Sequence, residues 1–180
     1  DTLNVLQYKS AWYHVRALAN MASWARSKPE PKKLKVHVVN GDWGDVTLDM
    51  TKRYGRRFAC LNMANAYAPG GGYTDGMVAQ EENMFRRTDC HFSLPKANTY
   101  PPSMSNLLNA KDGRVYFDAS PRVCVRGPET KSGRGYEWLP ADDVFHFNEL
   151  RAAAAAVRRL IVLLLPPTAH APSHARRAFA

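Results

Sequence analysis

Cysteine is scarce in this chain of 180 residues: Cys60, Cys90 and Cys124 are odd in number, far apart and without a Cys-x-x-Cys pair. That excludes a disulfide framework and offers no zinc-site spacing, so a reducing, cytoplasmic setting is the expectation. The six histidines are scattered, and the neighbours Cys90 and His91 lack the further ligands a metal needs. Long apolar runs are missing as well. Leu160 to Leu165 is six residues, directly preceded by Arg158 and Arg159, against the roughly 18 of a membrane span. No membrane partner is expected. Acidic residues are few, 16 against 25 Lys and Arg, and the resulting net charge of +9 favours a polyanionic partner. Part of that charge, Arg26, Lys28, Lys32 and Lys33 beside Pro29 and Pro31, reads as a solvated linker. An aromatic-rich RNA-recognition motif and an internal repeat are both absent.

The length and a hydrophobic content of 45% suit one globular domain with loose ends. Mixed helical spacing predicts a helix over Leu3 to Arg26, broken by Ser27 to Lys33. The β-branched stretch Leu34 to Asn40 reads as a strand feeding Gly41-Asp42. A helix from Asp45 to Tyr54 follows, with Gly55 near its stop, and then a strand from Phe58 to Met63. Strand, helix and strand in that order imply a right-handed crossover and a parallel pair with ligands gathered at the carboxyl ends. Further along, a helix is predicted from Gln80 to Asp89, and a long loop from Phe92 to Asp112 with a helical turn near Met104 to Leu108. Short strands are predicted at Val115 to Phe117 and Arg122 to Val125. A turn-rich link over Gly127 to Tyr136 and an alanine-rich helix from Asn148 to about Val157 complete the reading.

The most informative local feature is Gly70-Gly71-Gly72 followed, after seven residues, by Gln80-Glu81-Glu82. Pro-Gly clusters are common loop punctuation, and acidic residues in a first helical turn merely favour the dipole; Glu82 and Arg86 are also spaced as a solvated i, i+4 pair. Glycines with free φ that bring amides against a ligand, beside two adjacent carboxylates able to act as acid or base, make a site of the same residues.

The segment from Leu61-Asn62-Met63-Ala64-Asn65 through Gly70-Gly71-Gly72 to Gln80-Glu81-Glu82 resembles the macrodomain-type poly(ADP-ribose) glycohydrolases, most closely the microbial branch. His37 to Asp42 is similar to the macrodomain strand that ends in Gly-Asp, and weaker likeness extends over roughly residues 36 to 155. The resemblance implies a three-layer α/β/α macrodomain with a mixed sheet. Its parts would be an N-terminal helix and basic linker over 1–33, the glycohydrolase-like domain over 34–165, and an irregular or disordered tail over 166–180. It implies hydrolysis of ribose–ribose O-glycosidic bonds without metal or redox cofactor. Glu82 would be the general acid and base, with Glu81 beside it holding the leaving ribose hydroxyl. Gln80, being neutral, can fix a hydroxyl or a carboxylate without adding repulsion, while Gly70, Gly71 and Gly72 would pass close to the diphosphate and distal ribose, and by the resemblance Asn65 would contact the ribose. Asn62 would support the loop, and Asp42 would receive the adenine amino group. The implied partner is ADP-ribose or its polymer, attached to protein or nucleic acid.

One family feature is missing. Macrodomains close the pocket with a second glycine-rich loop, and no glycine follows Gly135 in this chain, so a fold incomplete at its C-terminus is expected. That departure keeps a non-hydrolysing ADP-ribose-binding module open as a second function class, and the basic charge keeps a nucleic-acid-binding domain open as a third.

Overall fold

The computed structural model describes residues 1–26, 36–94, 100–102, 104, 108, 115–133 and 135–153, and the backbone of 177–179. The first helix, α1 (Thr2–Ala25), starts at Asp1, whose carboxylate accepts from Leu3 N at 3.0 Å. Its Asn20 side chain donates to Ala141 O at 2.9 Å and Val144 O at 2.8 Å, tying the helix to the sheet. α2 (Trp43–Tyr54) is capped by Asp42, which accepts from Gly44 N and Asp45 N. It stops at Gly55, whose φ of 63° few other residues adopt without cost.

The other elements are β1 (Ala59–Ala64), α3 (Gln80–Arg87), β2 (Val115–Cys124), β3 (Arg126–Glu129), β4 (Tyr136–Trp138), β5 (Phe145–Ala153) and β6 (Arg177–Phe179). Four strands form one open sheet in the order β1-β5-β2-β6, and β3 pairs with β4 in a separate hairpin. β5 runs parallel to β1 and antiparallel to β2, so the sheet is mixed. The two faces of the sheet near the start of β5 enter different cores. Phe145 and Phe147 pack with Leu48 of α2 and with Met84 and Phe85 of α3, whereas Val144, just before β5, packs with Leu6 and Ala17 of α1 and with Val123 and Val125. Helices therefore cover both faces, in the three-layer α/β arrangement. Tyr100, Met104 and Leu108 pack on Tyr116 and Ala153 at the far end of the sheet.

Three expectations need correction. Residues 36–40 form no strand: Val36 is 78% and Val38 97% exposed, and His37 reaches the Tyr54 hydroxyl at the end of α2. A β-branched run becomes a strand only where a neighbouring edge accepts it, and that edge of β1 is taken by the side chain of Gln80, described below. The parallel partner of β1 is accordingly β5, with Ala59 opposite Asn148 and Ala64 opposite Ala153. The predicted alanine-rich helix begins instead as strand, since residues 148–153 belong to β5; 154–157 lie outside the described residues. Alanine's helix propensity is a few tenths of a kcal/mol per residue over most alternatives, and the pairing available to a central strand overrides it. Lastly, the two short strands predicted around residues 115–125 are one strand with an irregularity between Asp118 and Arg122.

α1 is also fastened through a chain of three titratable groups. Asp89 Oδ2 pairs with His14 Nε2 at 2.8 Å, and His14 Nδ1 pairs with His146 Nε2 at 2.8 Å. Burial, then the neighbouring His14 and Arg57, pushes the His146 imidazole down to about 4, with Asp89 opposing. The folded state therefore binds fewer protons than the unfolded chain between its unfolded value near 6.5 and about 4. Stability is expected to fall as pH drops through that window, by on the order of 3 kcal/mol, and to level off below it. Urea titrations at several pH values check this against His146→Gln. The parent should lose stability relative to the variant between pH 6.5 and 4, and parallel curves would refute the assignment.

Candidate active site

The loop that leaves β1 is shaped by Asn65. Its Oδ1 accepts from Tyr67 N at 2.9 Å and Ala68 N at 3.0 Å, an Asx turn that reverses the chain before the glycines. Gly71 N then donates to Ala68 O at 3.0 Å. Gly70 and Gly71 have φ of 82° and 54°, the left-handed region that glycine enters freely. Space demands glycine as well. A Cβ on Gly70 would lie 2.8 Å from the Phe85 ring, and one on Gly71 would lie 2.2 Å from Glu82 Oε1.

α3 starts where the loop ends and sets both glutamates in its first turn, where the free amides of a helix favour negative charge. Both are buried, with 2% and 5% of Glu81 and Glu82 exposed. Glu81 Oε2 accepts from Asn65 N at 2.7 Å, and its Oε1 accepts from Gly70 N at 2.9 Å and Asn62 Nδ2 at 3.4 Å. Glu82 Oε1 accepts from Gly72 N at 3.2 Å. The glycine loop is thus draped over the glutamate pair, each carboxylate taking one of its amides. Burial pushes the Glu81 carboxyl up to about 7; the bonds from Asn65, Gly70 and Asn62 oppose the rise, and Glu82 adds to it.

The two carboxylates differ in freedom. Among the described residues Glu81 is held by donors on both oxygens, whereas Glu82 takes a single backbone bond on one. One carboxylate is a fixture of the loop. The other has an oxygen that takes no bond among the described residues.

The structure gathers Gly70, Gly71, Gly72, Asn62, Asn65, Gln80, Glu81 and Glu82 into one place. Gln80 has both ends of its amide on the β1 backbone: Nε2 donates to Leu61 O at 2.7 Å, and Oε1 accepts from Met63 N at 2.9 Å. It continues the sheet at the β1 edge. Asp42 lies at the other end of α3, where Arg87 Nη1 meets its two oxygens at 2.9 and 2.8 Å while Asp42 also caps α2. A cleft of about 360 Å³ opens between Thr2, Tyr73, Phe85, Arg86, Arg126 and Tyr136; neither glutamate lines it. Among the described residues no His, Cys, Asp or Glu side chains converge as metal ligands, and no helix is long and apolar enough to cross a membrane.

Two supports escaped the sequence reading. Arg86, spaced as a solvated partner of Glu82, instead donates to Tyr73 O at 2.9 Å and Met77 O at 2.6 Å, clamping the loop onto α3. Below the loop lies a buried cluster of Glu149, Arg151 and Arg122. The alternation of Glu149 and Arg151 at a period of two is the signal that places both on one face of a strand.

Residues 3–125 match the family model described as the catalytic domain of microbial-type PARG. The chain belongs to that family. Among solved structures, it is similar to the poly(ADP-ribose) glycohydrolase (PARG) of Thermomonospora curvata at 20% identity and a TM-score of 0.44, over 74% of this chain and 47% of that one. The same glycohydrolase with the inhibitor ADP-HPD bound is 18% identical at a TM-score of 0.44, over 79% of this chain and 51% of that one. This chain therefore spans about half the length of the solved PARG structures it matches. No curated protein matches it. The segment matched by the PARG model contains the glycine loop and both glutamates and ends at Val125, before β5.

Proposed function

We propose that this chain hydrolyses ribose–ribose O-glycosidic bonds in poly(ADP-ribose) and releases ADP-ribose, with Glu82 as general acid and base. The observation that carries the reading is the pair of buried carboxylates under a glycine loop, one of them fully held and the other with an oxygen open. Cleavage at the ribose C1 passes through an oxocarbenium-like state, so the departing 2′ oxygen must be protonated as the bond breaks, and a carboxylate must then activate water. Glu82, whose second oxygen takes no bond among the described residues, is assigned both steps. Glu81, fixed by the loop, accepts a hydroxyl of the leaving ribose, and the side-chain-free surface of Gly70 to Gly72, whose amides are already bonded to Glu81, Ala68 and Glu82, leaves room for the diphosphate and the distal ribose. The substrate is ADP-ribose polymer carried on protein or nucleic acid.

The deciding experiment is release of ADP-ribose from labelled polymer by the chain as it stands. Binding without release would favour the non-hydrolysing reader. A pH dependence follows too. Glu81 accepts a hydroxyl best when ionised, so ADP-ribose affinity is expected to rise with pH up to about 7 and level off above it. In the limit of binding to the ionised form alone, the slope below 7 is about tenfold per pH unit. Calorimetry from pH 5.5 to 8.5 checks it, and a slope that survives in Glu81→Gln would assign the titration to another group.

A further inference from the structure

Beneath the glycine loop the sheet holds a carboxylate that the reaction above does not use. Glu149, in the middle of β5, is wholly buried. Its Oε1 accepts from Asn62 Nδ2 and from Arg151 Nε, both at 2.8 Å; its Oε2 accepts from Arg151 Nη2 at 2.8 Å and Arg122 Nε at 3.4 Å. Arg151 reaches on to Ser93 Oγ at 2.9 Å, and Arg122 also pairs with Asp118. Burial raises the Glu149 carboxyl, but Arg151, Arg122 and the Asn62 amide outweigh it and hold the group below its ordinary range. The charge is therefore kept. A buried ion cluster of this kind is poorly explained by stability, because apolar side chains of similar volume avoid the desolvation it costs.

Asn62 is where the cluster meets the site. Its Nδ2 lies between Glu149 Oε1 at 2.8 Å and Glu81 Oε1 at 3.4 Å, while its Oδ1 is buried with no partner among the described residues. Only the NH2 end of an amide can face two carboxylates, so the stronger acceptor decides how the group is turned. That acceptor is Glu149. Glu149 also lies beyond the segment that the family model matches.

We propose that Glu149 is a positioning residue of this site: clamped by Arg122 and Arg151, it turns the Asn62 amide toward Glu81, which in turn holds Asn65 and Gly70 of the loop. The proposal rests on the reading of Glu81 and Glu82 as the working carboxylates, but its test needs no hydrolysis. In the full chain labelled with 13C, the Glu81 carboxyl resonance, assigned by its loss in Glu81→Gln, is followed against pH. Parent, Asn62→Leu, Glu149→Gln and the double variant are compared. Asn62→Leu removes a donor that favours the charged form, so the Glu81 midpoint is expected to rise by about one pH unit. Glu149→Gln should move the midpoint when Asn62 is present and add nothing on top of Asn62→Leu. Equal shifts by Glu149→Gln with and without Asn62, or an unmoved midpoint in Asn62→Leu, would overturn the proposal. Asn62→Leu leaves the arginine pairs of Glu149 in place and so keeps the test open if Glu149→Gln does not fold. A chain that shows this coupling yet releases no ADP-ribose would refute the glycohydrolase reading and leave the positioning role standing.

Discussion

Glu82→Gln is expected to bind ADP-ribose with the parent's affinity and to lose turnover by about 10²–10⁴-fold, the usual effect of removing a general acid. The substitution keeps the shape and the one bond that Glu82 makes, because an amide oxygen can still accept from Gly72 N, now at 3.2 Å. It cannot deliver a proton to the departing 2′ oxygen or take one from water. Glu81→Gln should behave differently. Glu81 receives N–H groups on both oxygens, from Asn65 at 2.7 Å on one side and Gly70 at 2.9 Å on the other. A side-chain NH2 on either side would face a donor and loosen the loop, so affinity and turnover should fall together. Paired titrations and ADP-ribose release assays on both variants and the parent decide the matter. Hydrolysis by Glu82→Gln at the parent rate would remove Glu82 from the acid and base role.

The site was more legible in the amino-acid sequence than the sheet that carries it, and the reason is distance along the chain. The glycines and the glutamates are separated by seven residues, so one local pattern contains both the loop and the first turn of α3. Asn65, a turn-former beside them, needed nothing remote to act. Helix ends were likewise local: Asp42 and Gly55 bound α2 as capping residues do. β5 was not local. Its alanines favour helix, while its place between β1 and β2 depends on partners about 90 and 30 residues away in sequence, as the Glu149 pairings with Cys60 and Asp118 show. The same holds for residues 36–40, whose branched side chains suit a strand but whose supposed edge is occupied by Gln80. Functional side chains that act through a neighbour, Arg86 on the loop carbonyls and Glu149 through Asn62, are invisible until the fold brings the neighbour in. The hydrogen bonds of the Gln80 amide show the converse: a residue inside the recognised motif contributes by finishing a sheet edge.

Gly71→Val is expected to abolish both hydrolysis and ADP-ribose binding, and the geometry separates the causes. At φ of 54° a β-branched residue is strained, at a cost of order 1–3 kcal/mol wherever the surroundings enforce the conformation. The new Cβ would also meet Glu82 Oε1 at 2.2 Å and lie 3.6 Å from Glu81 Oε2. No real contact is that short, so either the Glu82 carboxylate leaves its place on Gly72 N or the loop lifts away from α3. In the first case the acid is lost and turnover falls at least as far as in Glu82→Gln; in the second the glycine surface along which the diphosphate would pass moves with the loop, and affinity falls too. Gly76→Val is the matched control, since Gly76 has φ of 81° but a Cβ there meets nothing within 4 Å. It introduces backbone strain without touching a carboxylate. Calorimetry with ADP-ribose and the release assay, run on folded samples of both variants, should show near-parent behaviour for Gly76→Val and none for Gly71→Val. Equal losses in the two would mean that strain alone disables the loop, and parent-like binding by Gly71→Val would reduce the glycine run to an ordinary turn.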